Sequence, residues 1–439
     1  MWSPIAVTLR GNRQCGYIEV GVKGRRDVAQ RYIEILTRRL IGLMVWMGVV
    51  AGALTFAQEP VTRSEADRQR RAEKSRSAQP YEPGGLERAM HFVEEKAIFI
   101  VGREGFYPKL GSLTTGSGFA YGAGYRDRDL FNNTGTLDLW AASSIRRYWA
   151  TEARLTFPKL AHKRLLVETW AAHRDYPQED FYGTGPDSAR DNATSYAIRT
   201  NFLGALAGVR PLPIVLAGGG LEYQNPRLGR GKDREVPSIE QRFDPVTAPG
   251  LGESVDYLRS TAFLEIDYRE PKNARKGGWY RLDVSRFDDR TTGRFTFNRV
   301  DADLRQFVGF LAGRRVLASR LFVSTSDSGP GSVMPFYLMP TLGGNDTLRG
   351  FREYRFRGPH AILAQEEYRF EIWSGLDGAL FYDAGKVADR RADLNLKDLE
   401  HDYGFGFRFN TNEGIVFRVD AGFGSRDGKH LYIVFGGIF

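Results

Sequence analysis

The chain has 439 residues, a formal net charge of +9, 13% aromatic residues and 50 glycines. Its mean hydropathy of −0.39 excludes a membrane protein built from several apolar helices. The single cysteine, Cys15, precedes a predicted cleavage point, so the mature chain forms no disulfide and no cysteine-ligated metal site. Residues 1–57 hold eight Lys/Arg and three acids (8 − 3 = +5), which leaves +4 for the remainder and does not indicate nucleic-acid binding.

The N-terminal region has the pattern of a secretory signal. Two arginines precede an apolar run from Leu40 to Leu54, and small residues flank a possible cut after Ala57. We predict that residues 1–57 form a signal peptide. Its basic region is long, which leaves open a start downstream of Met1. An uncleaved anchor is the alternative, because the run is near the lower length limit for spanning a membrane.

The next stretch, residues 58–96, is polar and mixed in charge, and we predict a linker or a short solvated helix there. From about residue 106 polar and apolar residues alternate, as in half-buried strands. We predict that residues 97–439 form an all-β domain. The expected strands are 106–113, 116–126, 135–144, 147–157, 164–175, 194–209, 212–224, 256–269, 278–288, 294–310, 313–325, 360–372, 377–385, 402–410, 413–423 and 429–439.

The connections between these sixteen predicted strands differ in length. The four longest gaps, 176–193, 225–255, 326–359 and 386–401, all follow odd-numbered strands, so an up-and-down meander brings them to one side. Long loops on one side and tight turns on the other are typical of outer-membrane barrels. The sequence therefore predicts a 16-stranded antiparallel transmembrane β-barrel in the bacterial outer membrane.

The gap 326–359 carries the run Leu348-Arg349-Gly350-Phe351. The polar face of strand 360–372 presents Glu367, and strand 377–385 presents Asp383. If these polar faces line the lumen, an arginine folded inward meets carboxylates, and guanidinium–carboxylate pairing fixes its orientation. A solvated surface turn is the alternative.

At these motifs the sequence resembles the BamA/TamA family (bacterial surface antigen superfamily). The resemblance covers roughly residues 106–439 and is carried by Arg349-Gly350-Phe351, by Glu367-Tyr368-Arg369-Phe370, by Phe381-Tyr382-Asp383-Ala384-Gly385 and by the terminal Phe439. It implies that extracellular loop 326–359 folds into the lumen, where Arg349 docks on Asp383 and Glu367. It also implies that Phe435 and Phe439 form a C-terminal assembly signal.

The family implies a role in protein insertion or protein transport, with outer-membrane proteins as clients. Members with that role carry periplasmic POTRA modules, for which residues 58–96 are too short. We therefore expect an unidentified periplasmic partner in their stead. A non-catalytic structural or surface-antigen barrel, or a narrow pore, is the alternative function. Lipid and lipopolysaccharide of the outer membrane are the other expected partners.

Enzymatic chemistry is not predicted, and we expect no cofactor. The six histidines lack metal-ligand spacing, and no Gly-x-Ser-x-Gly elbow occurs, since Gly116-Ser117-Gly118 fits a strand. Gly218–Gly220 is predicted to kink its strand. The basic loop 225–255 is predicted to be solvated, with lipopolysaccharide contact as the alternative. Candidates for interfacial aromatic girdles are Trp140, Trp149, Trp170, Trp279 and Trp373.

Overall fold

The computed structural model describes residues 104–270, 274–373, 375–411 and 414–435. The predicted signal peptide (1–57), the predicted linker (58–96) and the terminal Phe439 lie outside the described residues and stay predictions. Within the described part of the chain, no helix is long and apolar enough to span a membrane.

The described residues form an antiparallel barrel of sixteen strands, β1 to β16. Their bounds are β1 Gly105–Gly111, β2 Ala120–Asp129, β3 Gly135–Ser144, β4 Trp149–Lys159, β5 Leu165–Phe181, β6 Thr194–Leu212, β7 Val215–Gln224, β8 Tyr257–Asp267, β9 Gly277–Asp289, β10 Phe297–Phe310, β11 Arg315–Ser328, β12 His360–Trp373, β13 Leu376–Ala388, β14 Glu400–Thr411, β15 Gly414–Ser425 and β16 Gly428–Phe435. Each strand overlaps its predicted range, and each of the first fifteen pairs with the next one along the chain. The predicted fold class is confirmed.

Side-chain alternation sorts each strand into an inner and an outer face. On β13, Phe381 and Asp383 are buried, whereas Leu380 and Tyr382 are about half exposed on the other side. Successive residues of a strand point to opposite faces, and a membrane barrel turns its apolar set outward to lipid. The polar face of β12, with Glu367 at its centre, therefore lines the lumen.

The long connections lie together at one end of the barrel. Residues 182–193, 225–256, 329–359 and 389–399 all follow odd-numbered strands, whereas connections such as 213–214 and 311–314 are short. The predicted sorting of loops by parity is confirmed. This end is the extracellular one, because outer-membrane barrels carry long loops outside and short turns in the periplasm.

The extracellular loops share an apolar cluster that was not predicted from the sequence. Most basic side chains of loop 225–255 are exposed, as expected, but Ile239 and Ala248 of that loop are 1% and 0% exposed in a cluster with Phe181, Tyr196 and Phe336. Burial of this apolar surface folds the loop down over the barrel mouth. Contrary to the prediction, the segment Gly116–Gly118 is not a strand: it belongs to the connection 112–119, where the Ser117 hydroxyl accepts hydrogen bonds from two backbone amides.

The predictions for the tryptophans and the triple glycine also need correction. Trp170 donates a hydrogen bond to the lumen-facing Glu222, and Trp140 and Trp279 also face the lumen, where they stack against basic side chains. These three belong to the inner wall and not to an aromatic girdle. Gly218–Gly220 does not kink β7, which stays in regular register with both neighbours there. A Cβ at residue 218 would come within 2.1 Å of the Ala207 carbonyl oxygen, so glycine allows close strand packing.

Candidate functional site

The long loop between β11 and β12, residues 329–359, turns back into the barrel; we call it the lumen loop. Two short strands, Thr341–Leu342 and Phe356–Arg357, pair with each other at its base. Leu348 and Phe351 are fully buried in a cluster that includes Leu363 of β12 and Val387 of β13. Burial of these apolar side chains seats the loop tip against the inner wall.

Arg349 lies at the loop tip and is fully buried. Its Nε and Nη2 atoms donate to the two carboxylate oxygens of Asp383 at 2.7 and 2.8 Å, and Nη1 donates to Glu367 at 2.8 Å. The guanidinium also lies 3.5 Å from the centroid of the Phe381 ring. The structure thus brings together the three residues singled out in the sequence. Burial alone lowers the pKa of Arg349, but Asp383, Glu367 and Asp420 raise it above its ordinary value, so the side chain stays cationic.

The acidic wall is itself held by further arginines. Glu367 accepts from Arg369 Nε at 2.7 Å and from Arg408 Nε at 3.0 Å, in addition to Arg349. Asp420 on β15 bridges Arg408 and Arg418. Charges buried in this way are tolerated only when paired and hydrogen-bonded. The site is therefore a connected network that fixes the loop relative to β12–β15.

Gly350 follows Arg349 because the wall approaches the loop too closely for a larger residue. A Cβ there would lie 2.4 Å from Asp402 Cβ, and a Cβ at Gly422 would lie 2.3 Å from the Arg349 carbonyl oxygen. The two glycines let loop backbone and strand backbone pack directly against each other. Phe351 completes the motif: its ring packs against Phe356, and its carbonyl oxygen accepts from Tyr432 Oη at 2.8 Å.

The lumen loop also contacts both sides of the seam between the first and last strands. On one side, the Tyr354 hydroxyl lies 2.9 Å from Thr114 Oγ1 and 3.2 Å from the Thr115 carbonyl oxygen. On the other side, Arg355 Nε lies 3.1 Å from Asp427 in the turn between β15 and β16. Phe119 and Phe435 approach across the seam with ring centroids 5.8 Å apart. Consecutive loop residues thus link the two edges of the sheet.

Two further arginines of this loop were not predicted from the sequence. Arg355 is 1% exposed and donates to the Ser188 carbonyl oxygen at 2.8 Å as well as pairing with Asp427. Arg357 is 2% exposed and donates to the Phe336 carbonyl oxygen at 2.9 Å. Both bind mainly through contacts distant in sequence, so no local spacing could have identified them. Their position within eight residues of Arg349 was the one available signal.

The predicted C-terminal signal is described only at Phe435, which ends β16 and is 38% exposed on its outer face. Within the residues that the structure describes, no cluster of three or more metal-ligating side chains is found. The arginines and carboxylates of the site anchor the lumen loop electrostatically.

Comparison with known proteins agrees with the geometry. Residues 251–435 match the Omp85 superfamily domain. The match spans strands β8 to β16. A crystal structure of BamA from Haemophilus ducreyi lacking POTRA domains 1-3 shares its fold, with a TM-score of 0.55 and 12% identity over 83% of this chain and 81% of that one. The resemblance to the BamA/TamA family is confirmed.

Two solved structures of CdiB are similar over less of their own length. CdiB from Acinetobacter baumannii has a TM-score of 0.47 and 13% identity, over 76% of this chain and 59% of that one. CdiB from Escherichia coli has a TM-score of 0.48 and 13% identity, over 74% and 60%. No curated protein matches the chain. The barrel lies in the bacterial outer membrane.

Proposed function

We propose that this Omp85-type barrel assists outer-membrane protein assembly or protein translocation, with Arg349 as the residue that locks the lumen loop. The observation that carries the proposal is the buried contact of Arg349 with Asp383 and Glu367. That contact holds a loop whose neighbouring residues, Tyr354 and Arg355, touch both edges of the sheet. Release of the loop would therefore act directly on the seam.

The seam supports this role because its edges carry backbone groups that pair with no strand among the described residues. Between β1 and β16 the described residues show no backbone pairing, although each strand pairs with its other neighbour. An unpaired strand edge is a template for another chain to add a strand. A client strand could thus pair at this edge while the lumen loop keeps the rest of the barrel in place.

The test compares outer-membrane protein levels in cells that carry Arg349→Ala or the unaltered chain. We expect the level of at least one client protein to fall while the variant barrel itself remains folded in the membrane. Arg199→Ala is the matched control, because Arg199 pairs with Asp175 at the barrel surface and is 60% exposed. Unchanged client levels in a folded Arg349→Ala barrel would contradict the proposal.

The expected partners follow from the same proposal. Clients reach the barrel from the periplasm, so an unidentified periplasmic protein would deliver them. Co-purification from membranes solubilised in mild detergent tests for that protein, and its loss in the Arg349→Ala variant would connect it to the lock. Lipopolysaccharide is the proposed ligand of the exposed arginines in the basic extracellular loop 225–256, such as Arg230, which is 77% exposed.

A narrow pore is the second candidate, and the open wall of the lumen favours it. Ion pairs on the strands away from the lumen loop stay partly exposed, as Arg281 and Glu265 do at 28% and 21%. A hydrated wall of paired charges is typical of water-filled barrels. Planar-bilayer recording distinguishes the two functions: a steady open-state conductance favours the pore, and intermittent currents favour a barrel with a mobile seam.

A further inference from the structure

Two neighbouring glutamates on β12 face opposite sides of the barrel wall. Glu367 points into the lumen and is fully buried among arginines, whereas Glu366 points outward and is exposed. Glu366 is the seventh of the 14 residues of β12, so it lies about midway between the two ends of the strand. A lipid-facing carboxyl at that depth requires an explanation, because charged groups are costly in hydrocarbon.

The outward surroundings of Glu366 are otherwise apolar. Leu317 and Leu321 on β11 flank it and are 41% and 40% exposed, and Leu380 on β13 is 52% exposed. The neighbouring outward basic residues lie toward strand ends: Arg315 begins β11, and Lys386, near the end of β13, is bonded to Asn395. The described strands of this part of the wall thus supply no countercharge beside Glu366.

The carboxyl has one hydrogen-bond partner within the described part of the chain. Ser319 on β11 donates to Glu366 Oε2 at 2.6 Å, and the other carboxyl oxygen has no such partner there. An isolated ionised carboxylate in hydrocarbon is far costlier than a neutral acid. A protonated carboxyl group can donate one hydrogen bond and accept others, and Ser319 provides only one of these hydrogen bonds.

Residues with hydroxyl groups lie beside Glu366 in the same row of paired residues across neighbouring strands. Ser319 pairs with Glu366, Glu366 with Tyr382, and Tyr382 with Tyr403. Tyr382 and Tyr403 face outward and are 48% and 56% exposed. The row therefore offers both hydrogen-bond donors and acceptors on one patch of the outer wall. A two-fold axis brings the same patch of two copies together, so that donors of one copy can meet acceptors of the other.

We propose that this patch, the outward face of β11–β14 around Glu366, is the interface between two copies of this chain in the membrane. In the dimer, the neutral Glu366 carboxyl exchanges hydrogen bonds with hydroxyl groups of the second copy. The interface removes the unpaired oxygen from lipid, where no water can satisfy it. This inference does not depend on the assembly or pore function, since it concerns the outside of the wall.

Single-cysteine cross-linking in native membranes tests the dimer, in a full chain with Cys15→Ser. Leu380→Cys puts a thiol beside Glu366 without removing a hydrogen-bonding group, and mild oxidation should yield a linked species of twice the chain mass. Leu203→Cys is the matched control: it is outward and 63% exposed, but on β6, outside the patch. It should give no linked species. No linkage at Leu380→Cys, or equal linkage at both positions, would overturn the proposal.

Substitution of Glu366 in the Leu380→Cys chain then tests the acid itself. Glu366→Gln should keep the linked dimer, because the amide is neutral and retains a donor and an acceptor. Glu366→Leu should lose it, and heat-dependent electrophoretic mobility checks that the barrel is folded. If Glu366→Leu does not fold, Ser319→Ala serves instead and should weaken linkage. Retained linkage in folded Glu366→Leu, or lost linkage in folded Glu366→Gln, would overturn the proposal.

Discussion

Arg349 and Asp383 are joined by two parallel hydrogen bonds of 2.7 and 2.8 Å, and both side chains are fully buried. The planar guanidinium fixes the direction of the loop tip as well as its distance from β13. Asp383 has few other partners: Gln365 Nε2 at 3.2 Å and the backbone amide of Arg349 at 3.3 Å. Glu367, in contrast, retains Arg369 and Arg408 whatever happens to Arg349.

Replacement of Arg349 by alanine should therefore destabilise the barrel mainly through Asp383. A buried carboxylate that loses its charged partner costs about 3–5 kcal/mol. Arg349→Lys should lower the free energy of unfolding by a smaller but still measurable amount than Arg349→Ala, because an ammonium cannot form the two-point contact. Urea unfolding of the barrel in lipid vesicles measures the change in the free energy of unfolding.

The exposed pair Arg199–Asp175 provides the control, since Arg199→Ala should change the free energy by only ~0–1 kcal/mol. A double-mutant cycle with Asp383→Asn isolates the pair from its surroundings. Equal effects of Arg349→Ala and Arg199→Ala would show that the buried contact contributes no more than a surface ion pair.

Gly350→Ala should displace the loop tip although it leaves Arg349 unchanged. The added methyl would lie 2.4 Å from Asp402 Cβ, and overpacking of a filled site costs about 1–3 kcal/mol. Proteolysis of intact membranes should then cut the lumen loop faster. Gly329→Ala, in the same loop, has nothing within 4 Å of the added atom and should leave the cleavage rate unchanged. Equal rates for the two variants would rule out the steric explanation.

Strand number, loop parity and the Arg349 contact could all be predicted from sequence, because each depends on a short-range or ordered pattern. Alternation with period two separates Glu367 from Tyr368 without any knowledge of the tertiary structure. Pairing between neighbours along the chain then fixes the barrel, since each of the first fifteen strands pairs with the next. Periodicity alone does not predict the contact between Arg349 and Asp383. The order of the motifs along the chain, which resembles that of a known family, does predict it.

The remaining features depend on which face of a strand meets lipid and on contacts between distant loops. Trp140 and Trp279 were assigned to the membrane interface by residue type, whereas their faces turn them inward onto basic side chains. Glu366 and Glu367 are identical in type and adjacent in sequence, yet Glu366 faces lipid and Glu367 faces the lumen. Arg355 could not be assigned, because Ser188 and Asp427 are far from it in the chain.

The seam should be the least protected part of the barrel in hydrogen–deuterium exchange. Among the described residues β1 pairs with β2 alone, whereas β10 pairs with β9 and β11 along its length. Local opening requires fewer broken hydrogen bonds where one edge is unpaired. We expect the peptide covering 105–111 to exchange faster than the peptide covering 297–310, as measured by mass spectrometry.

Tyr354→Phe should increase exchange at residues 112–119 further, because it removes the hydrogen bonds to Thr114 and Thr115. Tyr121→Phe is the control on the adjacent strand, where the side chain faces outward and is 56% exposed. If β1 is as well protected as β10 and Tyr354→Phe changes nothing, the lumen loop does not hold the seam.

The last prediction concerns ion flow through the lumen. Asp303 on β10 neutralises Arg305 at 2.6 Å and Arg320 at 3.0 Å, and its side chain is 15% exposed to the lumen. Asp303→Asn would leave two guanidinium groups without their shared carboxylate, which makes the local potential more positive and favours anions. In a salt gradient across a planar bilayer, the reversal potential should shift toward the equilibrium potential of chloride.

Asp288→Asn is the control: Asp288 pairs with Arg286 on the outer face of β9, away from the lumen. Because only a continuous water path senses Asp303, a shift confined to Asp303→Asn indicates that ions pass this wall. Current with an unaltered reversal potential would indicate that ions cross elsewhere, for example at the seam.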